Sequence, residues 1–400
     1  MRDTTTGEMG GESEMAPAWG AVVSMSLGVF GLVGAEFLPA SLLTPMAAEL
    51  GVSEGMAGQA VTATAAVALL TSLLITSVTR RIDRRYVLLG FSGLLILSNI
   101  LVALAPNLPS LLAGRILLGM ALGGFWTLSA ATIMRLVPER LVPRAMSILL
   151  SGVSAATVFA APMGSFLGDL TGWRSVFFMA AGLGALAFVV QLATLPSLPP
   201  RGRARLGTMI EVLLRRRVAF AMAAILLVFG GHFIFFTYIR PFLETETGVG
   251  VTGVSAILLG FGVANFAGNY LGALLLERSM RLTLALMPLV MGTLAFALAG
   301  FGGSLAVDTA MVALWGLAFG AVPVAWSTWI TRAVPDEAES AGGLLVAAIN
   351  TAIAGGAAAG GLILDLSGVH NVFLASGVVL VAAALTIMVR VETAAVARPA

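Results

Sequence analysis

Glu36 lies inside the apolar stretch from Trp19 to Met46, with no charged neighbour in sequence. A charged side chain at bilayer depth costs roughly 2.5–3.5 kcal/mol on insertion scales, so it needs a partner, a proton or a task. A carboxyl group in that setting can cycle between protonated and ionised forms, which is the chemistry of proton coupling. Arg115 is a second charge within an apolar segment. At about 1.5 Å per residue, Glu36 and Arg115 lie roughly 15 Å and 9 Å from the same membrane face, so they can meet if their helices are neighbours. Arginine favours the ionised carboxylate and burial disfavours it, so conformation could shift the balance. Two readings stand: Glu36 binds an exchanged proton while Arg115 tunes it or orients substrate, or the two form a permanent structural ion pair.

His232 falls near mid-membrane, and its ordinary pKa of about 6.5 suits a proton relay. It could equally stay neutral and hydrogen-bond across a helix interface or to a ligand. Asn265 and Asn269 share a helix face at a spacing of four, and Asn350 offers another amide. Such amides either hold helices together or bind polar cargo. Phe125, Trp126, Phe236, Tyr238 and Trp326 are candidate stacking surfaces for a planar ligand, although membrane aromatics commonly serve as packing groups. Tyr238 and Pro241 parallel Glu36 and Pro39. The chain has no cysteine and no lysine, and its two histidines form no His-Glu-x-x-His pair. There is no Gly-x-Ser-x-Gly elbow and no phosphate-binding Gly-Lys loop either. We therefore expect neither enzyme, metal site nor cofactor.

The elements that must position these groups are membrane helices. Of 400 residues, 58% are hydrophobic and 10% charged, and the mean hydropathy is +1.00. A soluble domain carries about a quarter charged residues. Apolar stretches of bilayer length recur near 19–46, 56–79, 86–105, 109–134, 145–168, 174–195, 218–241, 251–276, 282–302, 306–331, 341–366 and 371–390. The fold expected is an all-α integral membrane protein of twelve spans. All the basic residues are arginine, and only Arg174 and Arg240 fall opposite the face that holds the termini, with Arg115 inside a span. That asymmetry predicts both termini in the cytoplasm of a bacterial inner membrane. It reports orientation and not nucleic-acid binding. The expected organisation is a polar tail over 1–18 without signal-peptide character, a bundle over 19–195, a basic linker over 196–217, a second bundle over 218–391 and a tail over 392–400. Within the linker, the region of Glu211 could form an amphipathic surface helix or remain solvated.

The two bundles are repeats. Gly168 to Phe177 matches Leu364 to Phe373 at an offset of 196, and Arg135 to Glu139 matches Arg332 to Asp336 at 197. Parallel repeats of this kind place a site between two bundles at the midplane. Arg115 with Gly119, Gly123 and Gly124, Pro162 with Gly164 and Gly168, and Gly172-Trp173-Arg174 carry a family signature. With them the chain resembles the major facilitator superfamily, in its twelve-span drug/proton antiporter branch. The loop after the second span departs from that pattern: Arg80 stands at the usual acidic position and Asp83 at the usual glycine, ahead of Arg84. Glu36-Phe37-Leu38-Pro39, Asp83 to Val87, Phe235 to Pro241 and Trp326 to Arg332 are similar to the branch's bacterial purine ribonucleoside exporters. The resemblance implies export of nucleosides such as inosine in exchange for protons by alternating access. An alternative is multidrug or sugar efflux on the same scaffold. The candidate roles are then Glu36, Arg115 and His232 in proton coupling, the aromatics and asparagines above at substrate, and Asp83, Arg84, Pro162, Gly164 and Gly168 in gating. The partners expected are a small molecule, protons and lipid, with no nucleic acid, and the chain is expected to act as a monomer.

Overall fold

The computed structural model describes residues 17–199 and 211–391. The expected tail over 1–18 lies almost wholly outside the described residues, as do the tail over 392–400 and residues 200–210 of the linker. Among the described residues, twelve helices are long and apolar enough to cross a membrane: Trp19–Ser41, Glu54–Val78, Arg84–Ala103, Leu108–Leu136, Glu139–Thr171, Trp173–Thr194, Arg216–Thr245, Val251–Arg278, Met280–Phe301, Leu305–Ala333, Ala341–Ser367 and Val369–Arg390. They are called spans one to twelve below. All twelve expected segments are present. Large apolar side chains stand exposed on their outer faces, among them Leu70, Leu170, Tyr270 and Leu366. Lipid is the solvent that such a surface requires.

Local sequence sets the helix ends. Ser53 caps span two by accepting from the Met56 N–H, and Asn107 caps span four by accepting from the Ser110 N–H, with Pro109 in its first turn. Spans five and six, and spans eleven and twelve, are joined through Gly172 (φ 83°) and Gly368 (φ 82°). Only glycine adopts that backbone without strain, so the repeat is visible in the turns themselves.

Each half pairs its spans in the same way. One packs on five, two on four and three on six, as seven packs on eleven, eight on ten and nine on twelve. The halves meet where span two lies along span eleven and span five along span eight. Glycines allow the closest approaches. A Cβ at Gly119 would stand 2.4 Å from the Thr64 carbonyl oxygen, and one at Gly316 would stand 2.4 Å from that of Phe261. Those two glycines are themselves repeat equivalents.

Spans one and seven are broken. Span one was expected to run to Met46, but its helix ends at Ser41 and a second helix, Leu43–Leu50, follows. Span seven ends its first helix at Phe236 and resumes as Ile239–Thr245. Leu42 (φ −111°, ψ 11°) and Tyr238 (φ −115°, ψ 19°) are the hinge residues, at an offset of 196. Pro45 and Pro241, three residues on in each, cannot donate to the carbonyl four residues back. This geometry corrects the sequence parallel: Tyr238 is the counterpart of Leu42, and the counterpart of Glu36 is His232.

Candidate functional site

The site begins with two carbonyls that prolines set free. Pro39 has no N–H for the Ala35 oxygen, and Arg115 Nη1 donates to that oxygen at 2.9 Å. Pro45 likewise frees the Ser41 oxygen, and Arg240 Nη1 donates to it. Both intramembrane-side arginines therefore serve broken helices. Arg115 is fully buried. Its Nε reaches Thr64 Oγ1 at 3.0 Å and the Ala60 oxygen at 3.4 Å, while Nη2 is buried without a partner among the described residues.

Glu36 is half-buried beside this cradle and close enough to interact electrostatically with Arg115. Among the described residues its carboxyl makes no hydrogen bond, and the ion pairs within 4.0 Å do not include it. The permanent Glu36–Arg115 ion pair, one of the two readings of these residues, is thus not formed in this conformation.

His232 sits in an aromatic box. Its ring lies 3.4 Å from that of Phe319 at 4° and also stacks with Phe236 at 5.3 Å. Trp315 Nε1 donates to its Nδ1 at 3.0 Å. A neutral ring that accepts at Nδ1 carries its proton on Nε2. Phe236 in turn meets Phe37 edge-on at 5.7 Å, which joins the box to the residue next to Glu36 across the two halves.

The other candidates divide. Asn265 donates to the Gly316 oxygen at 3.3 Å and ties span eight to span ten, while Asn350 bonds back to Val346 on its own helix. Asn269 is half-buried and makes no hydrogen bond among the described residues. Phe125 is buried against Gly28, and Trp126 is half-buried. Trp326 packs edge-on against Trp329 at 5.9 Å. Tyr238 is buried, donates to the Ala357 oxygen at 2.7 Å and wedges between Gly58 and Gly360 at the seam of the halves.

The gating candidates lie on both faces. Gly164 and Gly168 bed the broken end of span one: a Cβ at Gly168 would stand 2.4 Å from Leu42. Pro162 is buried two residues before Gly164 in the same helix. On the linker face, Asp83 caps span three and accepts from the Leu198 N–H at 2.8 Å and the Ser197 hydroxyl at 2.5 Å. Burial would raise this carboxyl, but the hydrogen bonds from Ser197, Arg85 and Leu198, with Arg135 nearby, hold it below the ordinary carboxylate range. Arg84 returns its side chain to Thr79. The start of the linker is therefore strapped to the first bundle.

Sequence reasoning missed a latch on the opposite face. Thr44 donates to Glu244 at 2.6 Å, Arg240 pairs with Glu244 at 2.7 Å, and Asp365 accepts from the Ser53 hydroxyl at 2.7 Å and the Gly55 N–H at 3.2 Å. The bonds of Thr44 to Glu244 and of Ser53 and Gly55 to Asp365 cross from one half to the other, as does that of Arg240 to Ser41, while the Arg240–Glu244 pair braces them within the second half. The signal available was Pro45, which leaves the Ser41 carbonyl in need of a donor.

Residues 25–354 match the family model described as Major Facilitator Superfamily. The chain belongs to the Major Facilitator Superfamily. It is therefore a membrane transporter and not an enzyme. It is 46% identical to the "Purine ribonucleoside efflux pump NepI" of Escherichia coli (strain K12) over 96% of this chain and 97% of that protein, and equally so to the protein of that name from Shigella flexneri. Among solved structures, a D-xylose-proton symporter superposes with a TM-score of 0.74 at 18% identity, covering 94% of this chain and 97% of the other. A bacterial homolog of the human lysosomal transporter Spinster, in an inward-facing and unoccupied conformation, gives 0.73 at 16%, covering 93% and 96%. At those identities the likeness is one of fold alone.

Proposed function

We propose that this superfamily member exports purine ribonucleosides in exchange for protons by alternating access. The cargo follows from the 46% identity to the purine ribonucleoside efflux pump over nearly the whole chain. The coupling rests on one observation: Glu36, within a membrane span, carries a carboxyl that has no hydrogen-bond or ion-pair partner among the described residues, beside the cradled Arg115. An acid so placed gains and loses a proton without first breaking a salt bridge. With the arginine-rich linker face in the cytoplasm of a bacterial inner membrane, as the charge asymmetry supports, the latched face is external. Opening that face lets an external proton reach Glu36, and closing it presents the site to cytoplasmic nucleoside, which displaces the proton as the halves rock. A monomer holds the complete set of these residues.

Glu36→Gln in proteoliposomes tests the reading. The expected outcome is loss of pH-driven inosine transport with inosine counterflow retained. Wild-type pH-driven transport in this variant refutes a coupling role for Glu36, and competition by drugs or sugars but not purine nucleosides refutes the cargo.

A further inference from the structure

Arg115 could pair with Glu36, yet it does not, and the reason is a neighbouring side chain. Thr64 is buried in span two, donates its hydroxyl proton to the Ala60 oxygen at 2.9 Å and so offers a lone pair to Arg115 Nε at 3.0 Å. With the Ala35 carbonyl holding Nη1, the guanidinium is fixed at two corners. Gly119, one turn along from Arg115, presses on the Thr64 backbone, so the two helices cannot drift apart without losing this contact. The Nη2 corner is left buried and unused. A guanidinium with a free corner beside an unpaired carboxyl is held back by its anchors and not for want of attraction.

We propose that Thr64 is a positioning residue that keeps Arg115 from closing onto Glu36 and thereby leaves Glu36 able to take up a proton. The inference rests on the reading of Glu36 as the proton carrier. It also gives span two a second task. Gly55 and Gly58, which meet Asp365 and Tyr238 of the other half, lie on the same helix as Ala60 and Thr64. Movement of span two on opening the latch would then be felt by the arginine.

Few other charges bear on Glu36. Span two carries Glu54 only in its first turn, span three Arg84 and Arg85 only in its first turn, and span five Glu139, Arg140, Arg144 and Asp169 only near its ends. Span six carries Arg174 at its start, and span four carries Arg135 in its last turn. From the second half, Arg240 and Glu244 engage Ser41 and Thr44, and His232 is held by Trp315.

The test reads the Glu36 proton directly. Dicyclohexylcarbodiimide modifies protonated carboxyls in apolar surroundings, and mass spectrometry of the Glu36 peptide across pH, with Glu36→Gln as blank, gives a midpoint without any cargo. Thr64→Val keeps the shape and removes the acceptor, and Thr64→Ala is the second variant should valine not fit beside Gly119. Either is expected to release Arg115 onto Glu36 and lower the midpoint by about one to three pH units, the usual effect of an adjacent arginine on a carboxyl. Thr64→Ser is expected to restore the wild-type midpoint. In transport, the loss-of-acceptor variants should slow pH-driven inosine flux about tenfold more than counterflow, whereas a merely structural role slows both alike. An unmoved midpoint in Thr64→Val or Thr64→Ala, or failure of Thr64→Ser to restore it, overturns the proposal. Undiminished pH-driven transport by Glu36→Gln instead overturns the carrier reading while leaving the midpoint shift to be explained by Thr64.

Discussion

Asp365→Ala should tip the protein toward a state open on the latched face. Asp365 lies in the last turn of span eleven, where the helix dipole disfavours an acid by about 0.3–1 kcal/mol. Its oxygens reach instead to the first turn of span two, accepting from the Ser53 hydroxyl and the Gly55 N–H. There the dipole has the opposite sign. Hydrogen bonds to a charged group are worth about 1.5–3 kcal/mol when buried, and this site is open enough to solvent to cut each to roughly 1 kcal/mol. Together the two bonds contribute about 2 kcal/mol to the shut state, a roughly 30-fold effect on the ratio of shut to open. Because the chain has no cysteine, Ala48→Cys and Ser304→Cys, both exposed on that face, can be spin-labelled in an otherwise unaltered background. Double electron–electron resonance should show a longer-distance population rising in Asp365→Ala. Asp169, the repeat equivalent, is exposed and makes no hydrogen bond among the described residues, so Asp169→Ala is expected to leave the distances alone. Identical distributions in wild type and Asp365→Ala would refute the assignment of a latch.

Two further substitutions test the scaffold. Gly119→Val places a side chain 2.4 Å or less from the Thr64 carbonyl and should lower the thermal midpoint in detergent by the equivalent of about 1–3 kcal/mol; Gly90→Ala, with nothing within 4 Å, should not change it, and equal midpoints would contradict the close approach of spans two and four. Asp83 is held below its ordinary pKa, so its stabilisation of the linker strap is present above about pH 4 and is lost as pH falls through the depressed folded value. Hydrogen exchange at Ser197 and Leu198 should therefore accelerate in Asp83→Asn at pH 7 and converge on wild type in acid, and matching exchange at pH 7 would dismiss the strap.

Much of the architecture was legible because membrane helices write themselves as apolar runs, and because the repeat leaves paired signatures such as Gly172 and Gly368. Glu36 and Arg115 could be singled out because charge is rare in such runs. What could not be read was which atom each would touch. Arg240 looks in sequence like an ordinary residue of an external loop; its role depends on a carbonyl made free by Pro45 in a segment 195 residues away. Thr64 is one of many intramembrane hydroxyls, and only the approach allowed by Gly119 sets it against Arg115. The nearby prolines pair Tyr238 with Glu36, and the backbone angles at Leu42 and Tyr238 show that pairing to be six residues out of register with the hinge.

The corrected register changes how the two halves divide the work. Glu36 and His232 occupy equivalent places, and so do Ala35 and Gly231. In the first half, Pro39 frees the Ala35 oxygen and an arginine takes it. In the second, Phe235 stands where the proline would be, and the Gly231 oxygen receives the hydroxyl of Ser376 at 2.7 Å. The position of Arg115 is filled by the apolar Met311 and Val312, and no acid stands beside His232, which stacking and the Trp315 hydrogen bond lock in place. One half thus places a carboxyl beside a buried, anchored arginine, and the other places a ring in a rigid aromatic box. On the proposed role of Glu36 as proton carrier, the asymmetry confines titration at this level to the first half, and the second half turns a neutral aromatic wall toward it.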